Sequence, residues 1–221
     1  MISPVFLSLK LALVTSALLF VLGMPLAWWL ASTRFRFRFL VEAVVALPIV
    51  LPPTVLGFYL LLVLGSRGAL GAMWQRFTGH TFAFSFEGLV LGSVIYSLPF
   101  AVQPFTSALA SVDRRLLAAS ASLGAAPWRT FWRITFPLAL PGIVTGIALS
   151  FAHTLGEFGV VLMLGGNIPG RTQTASIAIY DNVQMLEYTA AAHQSLVLLG
   201  ISLALLIGIH ALNRKRNWRM Q

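Results

Sequence analysis

The side chains best suited to chemistry in this sequence are His153 and Glu157, which lie four residues apart in the stretch HTLGEFG. Residues at this spacing share one face of a helix, so an imidazole and a carboxylate could bind a metal ion or move a proton together. Two ligands are too few for a metal site, and His80, His193 and His210 are scattered elsewhere. Packing of Glu157 against a neighbouring helix or subunit, and a role in a gate, are the alternatives.

Other catalytic patterns are missing from the sequence. It contains no cysteine, no H-E-x-x-H pattern and no G-x-S-x-G elbow. A phosphate-binding loop needs a lysine directly after a glycine, and the only two lysines, Lys10 and Lys215, follow other residues. We therefore expect no catalysis, no metal, no cofactor and no ATP hydrolysis on this chain.

The composition indicates an integral membrane protein. Of 221 residues, 58% are hydrophobic and only 10% are charged, whereas a soluble domain carries about 25% charged residues. Lipid offers no partners for open backbone groups, so each long apolar stretch should form a helix. The five predicted spans are about Val5–Ala31, Leu40–Gly65, Gly88–Ala110, Leu138–Leu164 and Ala190–Leu212. The expected fold is a single all-α membrane domain over residues 1–221, with its core at about 5–212 and a basic C-terminal tail at 213–221.

The distribution of positive charge predicts the orientation of the spans. Eleven arginines and lysines fall in the first link, the third link and the C-terminal tail, whereas Arg67, Arg76 and Arg171 lie on the opposite side. The N-terminus is therefore expected outside and the C-terminus in the cytoplasm. Because this asymmetry accounts for the net charge of +9, no nucleic-acid partner is expected.

Two outer connections are long, and the second of them, Gly165–Thr189, contains the weakly apolar piece TASIAIYDNVQML. This piece is too short and too polar to cross a bilayer. A short helix at the outer face and an ordinary loop both remain open.

Prolines interrupt the second predicted span, LPIVLPPTVLGFYLLLVLG, at Pro48, Pro52 and Pro53. Each proline removes a backbone donor, and a broken helix is tolerated in a membrane where it lines a cavity or is buried in protein. A simple structural kink is the alternative to a path-lining break. The residues expected in the path or its gate are Pro52, Pro53, Thr54, Gly57, His153, Glu157, Phe158 and Gly159.

Small residues recur every four positions in GLVLG (Gly88–Gly92) and GIVTG (Gly142–Gly146). This spacing lets helices approach closely. The close approach could occur within one subunit or between two copies of the chain.

The third link, on the predicted cytoplasmic side, favours a pair of short helices. Asp113–Leu123 is rich in alanine and serine, Gly124 suits a helix end, and Pro127 suits the first turn of a second helix. In PWRTFWRIT the aromatic residues Trp128, Phe131 and Trp132 share one face, with Arg129 and Arg133 beside them. A helix lying at the membrane interface would carry such residues. The small side chains of the first helix favour instead a surface that another protein approaches closely.

The order of these residues resembles the EAA signature of ABC importer permeases: Glu-Ala-Ala, three residues, Gly, nine residues, Ile-x-Leu-Pro. Ala119, Gly124, Ile134 and Pro137 match, whereas Ala118, Ser120 and Phe136 replace Glu, Ala and Leu. In that family the segment is a coupling helix that docks into a cleft of the cytoplasmic ATP-binding subunit. The resemblance implies that segment 113–137 contacts an ATPase through Ala118, Ala119, Ser120, Gly124, Pro127, Trp128, Arg129, Trp132, Arg133, Ile134 and Pro137.

Two further stretches, Leu47–Gly65 and LGEFGVVLMLGGNIPGRTQT (Leu155–Thr174), look like the molybdate permease subgroup, and the similarity covers about residues 5–212. The resemblance implies the permease subunit of a type I, binding-protein-dependent importer of molybdate or tungstate in the plasma (inner) membrane of a prokaryote. Its partners would be a second copy of the chain, two cytoplasmic ABC ATPase subunits and a periplasmic or extracellular molybdate-binding protein. The alternatives are a permease for sulfate or another tetrahedral oxyanion, a stand-alone channel or ion-coupled carrier, and an intramembrane enzyme that uses His153 and Glu157.

Overall fold

The protein, described by a computed structural model for residues 3–217, consists of helices joined by turns and loops, with no strand in that range. Apolar stretches with helical spacing and no competing partner for the backbone explain this architecture. The helices are α1 (Pro4–Ser32), α2 (Arg38–Val50), α3 (Pro53–Leu64), α4 (Ala69–Thr78), α5 (Phe86–Ala110), α6 (Arg114–Ser122), α7 (Pro127–Thr130), α8 (Phe136–Leu155), α9 (Gly159–Gly165), α10 (Ala175–Gln184) and α11 (Tyr188–Asn217), with a π-helical turn at Phe131–Thr135 between α7 and α8.

The first, third and fifth predicted spans are confirmed as the long helices α1, α5 and α11. The second predicted span, Leu40–Gly65, is broken as its prolines indicated, because α2 and α3 meet at an angle of 111°. Pro52 caps α3 and Pro53 is its first residue, so the backbone donors that would continue α2 are missing at this point. The part of the chain that is described therefore holds four helices able to span a membrane, or five with the bent pair.

The fourth predicted span, Leu138–Leu164, is placed too far toward the C-terminus. Its helix runs without interruption from Pro127 to Leu155, and the chain then breaks at Gly156–Phe158 before α9. The basic tail predicted at 213–221 lies outside the described residues from residue 218 onward.

The core is a bundle of α1, α5 and α8 that closes around Phe105, which is fully buried. Close approach in this bundle depends on glycine: a Cβ at Gly146 would lie 2.7 Å from the Phe105 ring, and one at Gly23 would lie 3.3 Å from Val102. The predicted role of GIVTG in close packing is thus satisfied within one subunit.

The piece TASIAIYDNVQML forms α10, which confirms the short helix over the loop alternative. Ile177 packs in a buried cluster with Leu11 and Leu89. At the start of α10 the amide of Ala175 donates to the hydroxyl of Ser8 in α1 at 2.8 Å, and both residues are buried. The first and last thirds of the chain are joined at this point.

Candidate coupling surface and translocation path

The third link forms the predicted helix–glycine–helix unit, which we call the knob and define as residues 113–137. The carboxylate of Asp113 accepts from the amide of Arg115 at 2.8 Å and caps α6. The unit turns at Gly124, whose φ of +74° lies in the left-handed region that favours glycine. Pro127 occupies the first turn of α7. The helix end at Gly124 and the new start at Pro127 are confirmed as the sequence predicted them.

The interior of the knob is braced by one polar and one aromatic contact. The hydroxyls of Ser120 and Thr130 lie 2.7 Å apart and connect α6 to α7. Phe131 is buried, with its ring 5.1 Å from that of Trp28 in α1 and 5.2 Å from that of Trp132. Ser120 was expected on the docking surface, but the structure turns it inward because its hydroxyl finds a partner there.

The sequence suggested that the second helix of the knob is a separate short helix, but in the structure it is not. It continues into α8 through the π-helical turn Phe131–Thr135, which directly precedes Phe136 and Pro137 in the first turn of α8. Such turns absorb a local mismatch in the hydrogen-bond ladder without ending the helix. The second helix of the knob and the longest part of the fourth span are consequently one continuous helix.

The exposed surface of the knob is apolar at its tip and positively charged around it. Leu123, which precedes Gly124, is 87% exposed and is the residue that sequence reasoning missed. Its position just before a helix-ending glycine was the available signal, because the chain projects outward there. Of the other predicted coupling residues, Ile134 is half-buried, and Ala118, Ala119, Gly124, Pro127, Trp128, Arg129, Trp132, Arg133 and Pro137 are exposed. Within residues 3–217, no carboxylate lies within ion-pair distance of Arg129 or Arg133.

The two segments predicted to line a path meet in the structure, although about a hundred residues separate them in the chain. A Cβ at Gly159 would lie 2.6 Å from the Cβ of Pro53, and one at Gly57 would lie 2.8 Å from the Cβ of Met163. The start of α3 is thus packed directly on α9 through two glycines. Pro52 and Thr54 are exposed beside this contact, and Phe158 is half-buried.

His153 and Glu157 do not form a joint site. The prediction that they share a helical face is wrong, because α8 ends at Leu155 and Glu157 lies in the break that follows. The ring nitrogen Nδ1 of His153 is 2.9 Å from the hydroxyl of Ser97, and its ring stacks on Phe100 with centroids 3.9 Å apart. Among the described residues, no cluster of three metal-ligating side chains includes either residue.

Glu157 is 4% exposed and lies against α5 near Ser93 and Tyr96. The hydroxyl of Ser93 faces its carboxylate, but neither group makes a hydrogen bond of regular geometry in the part of the chain that is described. One helical turn further along α5, Ser97 contacts His153 and also Thr154, at 2.9 Å in each case. Sequence reasoning missed Ser93 and Ser97; two serines four apart in an apolar helix were the signal.

Known proteins resemble this chain in sequence and in fold. Residues 23–216 match the family described as "Binding-protein-dependent transport system inner membrane component". The molybdenum transport system permease protein ModB of Azotobacter vinelandii is 51% identical over 190 residues, covering 86% of this chain and 84% of that protein. ModB of Escherichia coli strain K12 is 44% identical over 182 residues, covering 81% of this chain and 79% of that protein. Among solved structures, a chain of the inward-facing MetNI methionine ABC transporter superimposes with a TM-score of 0.75 at 18% identity, covering 96% of this chain and 94% of that one.

Proposed function

The chain belongs to the family of binding-protein-dependent transport system inner membrane components, and from this we propose that it is the membrane-spanning subunit of an ATP-driven molybdate importer. The observation that carries the proposal is the 51% identity to a molybdenum transport permease over 86% of the chain. The chain is a multi-pass membrane protein, and an ATPase and a binding protein are its partners. It is a transporter subunit rather than an enzyme.

The finer assignments extend this proposal. Two copies of the chain form the path, two ATPase subunits dock on the two knobs, and an external binding protein delivers the anion. The membrane is the inner membrane of a prokaryote. The sequence supports a separate ATPase because neither lysine lies in a phosphate-binding loop.

The geometry of the knob suggests how ATP hydrolysis moves the path. The continuous helix from Pro127 to Leu155 has 29 residues, and an α-helix of that length measures about 44 Å. Displacement of the knob by a closing ATPase pair is therefore transmitted along one stiff element. Its far end is the break at Gly156–Phe158, which adjoins the contact between α3 and α9.

The path itself is proposed to lie where the bent pair α2–α3 and the segment around α9 meet. An anion held weakly there is served by backbone N–H groups freed at helix breaks. A carboxylate would repel the anion, so Glu157 acts on the gate and not on the cargo. Pro52, Pro53, Thr54 and Gly57 on one side, and Phe158 and Gly159 on the other, form this region, with His153 held against α5.

Glu157 offers a test of the gate. A carboxylate buried without regular hydrogen bonds is unfavourable, so it favours the alternate state in which it gains water or a partner. Glu157→Gln keeps the volume but removes the ionisable carboxyl group. We expect the amount of molybdate transported per ATP to fall about threefold, which corresponds to less than 1 kcal/mol of bias between the two states. Glu187→Gln, in the exposed turn before α11, is the matched control; transport by Glu157→Gln equal to that of the wild type would leave only a packing role.

The proposed function as a whole predicts which anion drives ATP turnover. The chain should be reconstituted in lipid vesicles with its ATPase and binding protein, and ATP turnover measured with molybdate, tungstate or sulfate. We expect molybdate and tungstate to stimulate turnover about tenfold more than sulfate at equal concentration, a difference of about 1.4 kcal/mol. Equal or greater stimulation by sulfate would assign the chain to a different oxyanion, and no stimulation by any of them would reject the proposal.

A further inference from the structure

A cavity of about 400 Å³ opens on the predicted outer side, between the starts of α1 and α5 and the loop that follows α9. Three basic side chains from three separate parts of the chain line it: Lys10, His80 and Arg171. Leu7 and Phe86 form its apolar wall. Neither the coupling surface nor the path described above includes any of these residues.

Neither permanent cation of this cavity forms an ion pair at contact distance. In residues 3–217, no carboxylate oxygen lies within 4.0 Å of a side-chain nitrogen of Lys10 or Arg171. The ion pair observed in that range joins Arg38 to Glu42. The ammonium group of Lys10 instead lies 4.4 Å from the centroid of the Phe86 ring. Glu87 also lines the cavity, in the first turn of α5, and its carboxylate is attracted by His80 and Lys10. One carboxylate cannot balance the charges of both Lys10 and Arg171. The cavity therefore retains a surplus of positive charge.

This convergence is notable because positive charge is scarce on the outer side. Only Arg67, Arg76 and Arg171 are expected there, and Arg171 lines one cavity together with Lys10 of the first span. The bias against lysine and arginine on this side of a membrane makes chance clustering a poor explanation. An unpaired cation near an apolar face requires an anionic partner or water.

The position of Lys10 along α1 limits which ligands its ammonium group can reach. It shares one face of α1 with Phe6 and Leu13, at spacings of four and three residues, and all three side chains are exposed. Lys10 follows Pro4 by six residues, or about 9 Å along the helix. A lysine at this depth extends its ammonium group toward the boundary between hydrocarbon and headgroups.

We propose that the cavity is a binding site for a tetrahedral oxyanion group, held by Lys10 and Arg171 with His80 as a further donor. The planar fork of an arginine donates two parallel hydrogen bonds to such a group, and a lysine supplies a compact charge. Two sources offer this chemistry: the phosphate of a phospholipid headgroup, and a free oxyanion such as molybdate. The free-anion source rests on the proposed function, whereas the lipid source does not.

The test uses the complex of this chain with its ATPase, purified in detergent and depleted of lipid, without the binding protein. One arm measures retention of a short-chain phosphatidylglycerol by native mass spectrometry, and the other measures molybdate binding by equilibrium dialysis. We expect the pair Lys10→Gln with Arg171→Gln to weaken binding about fivefold or more in at least one arm. Glu87→Gln should strengthen binding in that same arm, because it removes the opposing charge. Arg76→Gln, on α4 and outside the cavity, should match the wild type.

The outcomes distinguish a lipid phosphate from a free anion, and failure of the anion site from failure of the proposed function. Weakening in the lipid arm alone identifies a headgroup phosphate, and weakening in the molybdate arm alone identifies the free anion. Unchanged binding in both arms overturns the site, even if the binding protein then docks less tightly, a result that would assign the cavity to an acidic protein surface. Arg171→Gln alone, in an exposed loop, serves if the double variant does not fold. Failure of the proposed function would show differently, as wild-type ATP turnover that ignores molybdate.

Discussion

The variant Leu123→Glu is expected to enter the membrane normally and to lose ATP turnover stimulated by the binding protein. Leu123 is 87% exposed at the tip of the knob, so a glutamate there costs the isolated chain roughly 0.5 kcal/mol or less. In the docked complex the same carboxylate would be removed from water against a partner selected for an apolar tip. A central apolar anchor contributes roughly 2 kcal/mol or more, or about thirtyfold in affinity.

The measurement is ATP turnover of the reconstituted complex, together with co-purification of the ATPase. Leu123→Met is the matched control, because it keeps an apolar side chain of similar volume at the same position. A Leu123→Glu complex that assembles and turns over ATP like the wild type would show that the tip of the knob is not the docking surface. Movement of the ATPase could then not be transmitted through the knob to the helix from Pro127 to Leu155.

The variant Gly159→Ala is expected to reduce molybdate uptake about fivefold or more, whereas Gly156→Ala, three residues earlier, should be tolerated. An added Cβ at Gly159 would lie 2.6 Å from the Cβ of Pro53, but at Gly156 the nearest atom would be 3.8 Å away. Overpacking of this kind costs roughly 1–3 kcal/mol, or about fivefold to a hundredfold in the population of the packed state. The two substitutions are chemically identical, so they differ only in what surrounds the new methyl group.

Uptake of labelled molybdate by vesicles and the midpoint of thermal unfolding would both be measured. The contact between Gly159 and Pro53 can be tested from the other side. Pro53→Gly removes the Cβ atom that a methyl group at position 159 would strike. If the α3–α9 contact governs the path, the effects of Pro53→Gly and Gly159→Ala should be non-additive. Wild-type uptake by Gly159→Ala would contradict the packed contact between these segments.

Features set by single residues could be predicted from the sequence, and features set by tertiary partners could not. The turn at Gly124 and the start at Pro127 follow from backbone restrictions that act within a few residues. The inward turn of Ser120 depends on Thr130 across the knob, and no periodicity announces that contact. Likewise, an apolar run from Leu138 to Leu164 looks continuous, although the helix ends at Leu155 and leaves Glu157 in the break.

The candidate path was predicted in parts but not in its assembly. The segments around Pro53 and Gly159 were each identified, because prolines and glycines in apolar stretches indicate irregular backbone. That the two segments contact each other directly could be seen only in the folded structure. The serines of α5 were missed for the same reason: Ser97 gains its meaning from His153 and Thr154 on another helix.

The bond between Ser8 and Ala175 has a consequence for how the molecule is made. The two residues are 167 positions apart, and a ribosome adds roughly 5–20 residues per second. The first helix therefore waits on the order of 10–30 s in the bilayer before α10 emerges from the translocon to cover its buried hydroxyl. Until then this patch must be shielded by lipid headgroups, water or a chaperone. Completion of the outer face is thus among the last steps of biogenesis.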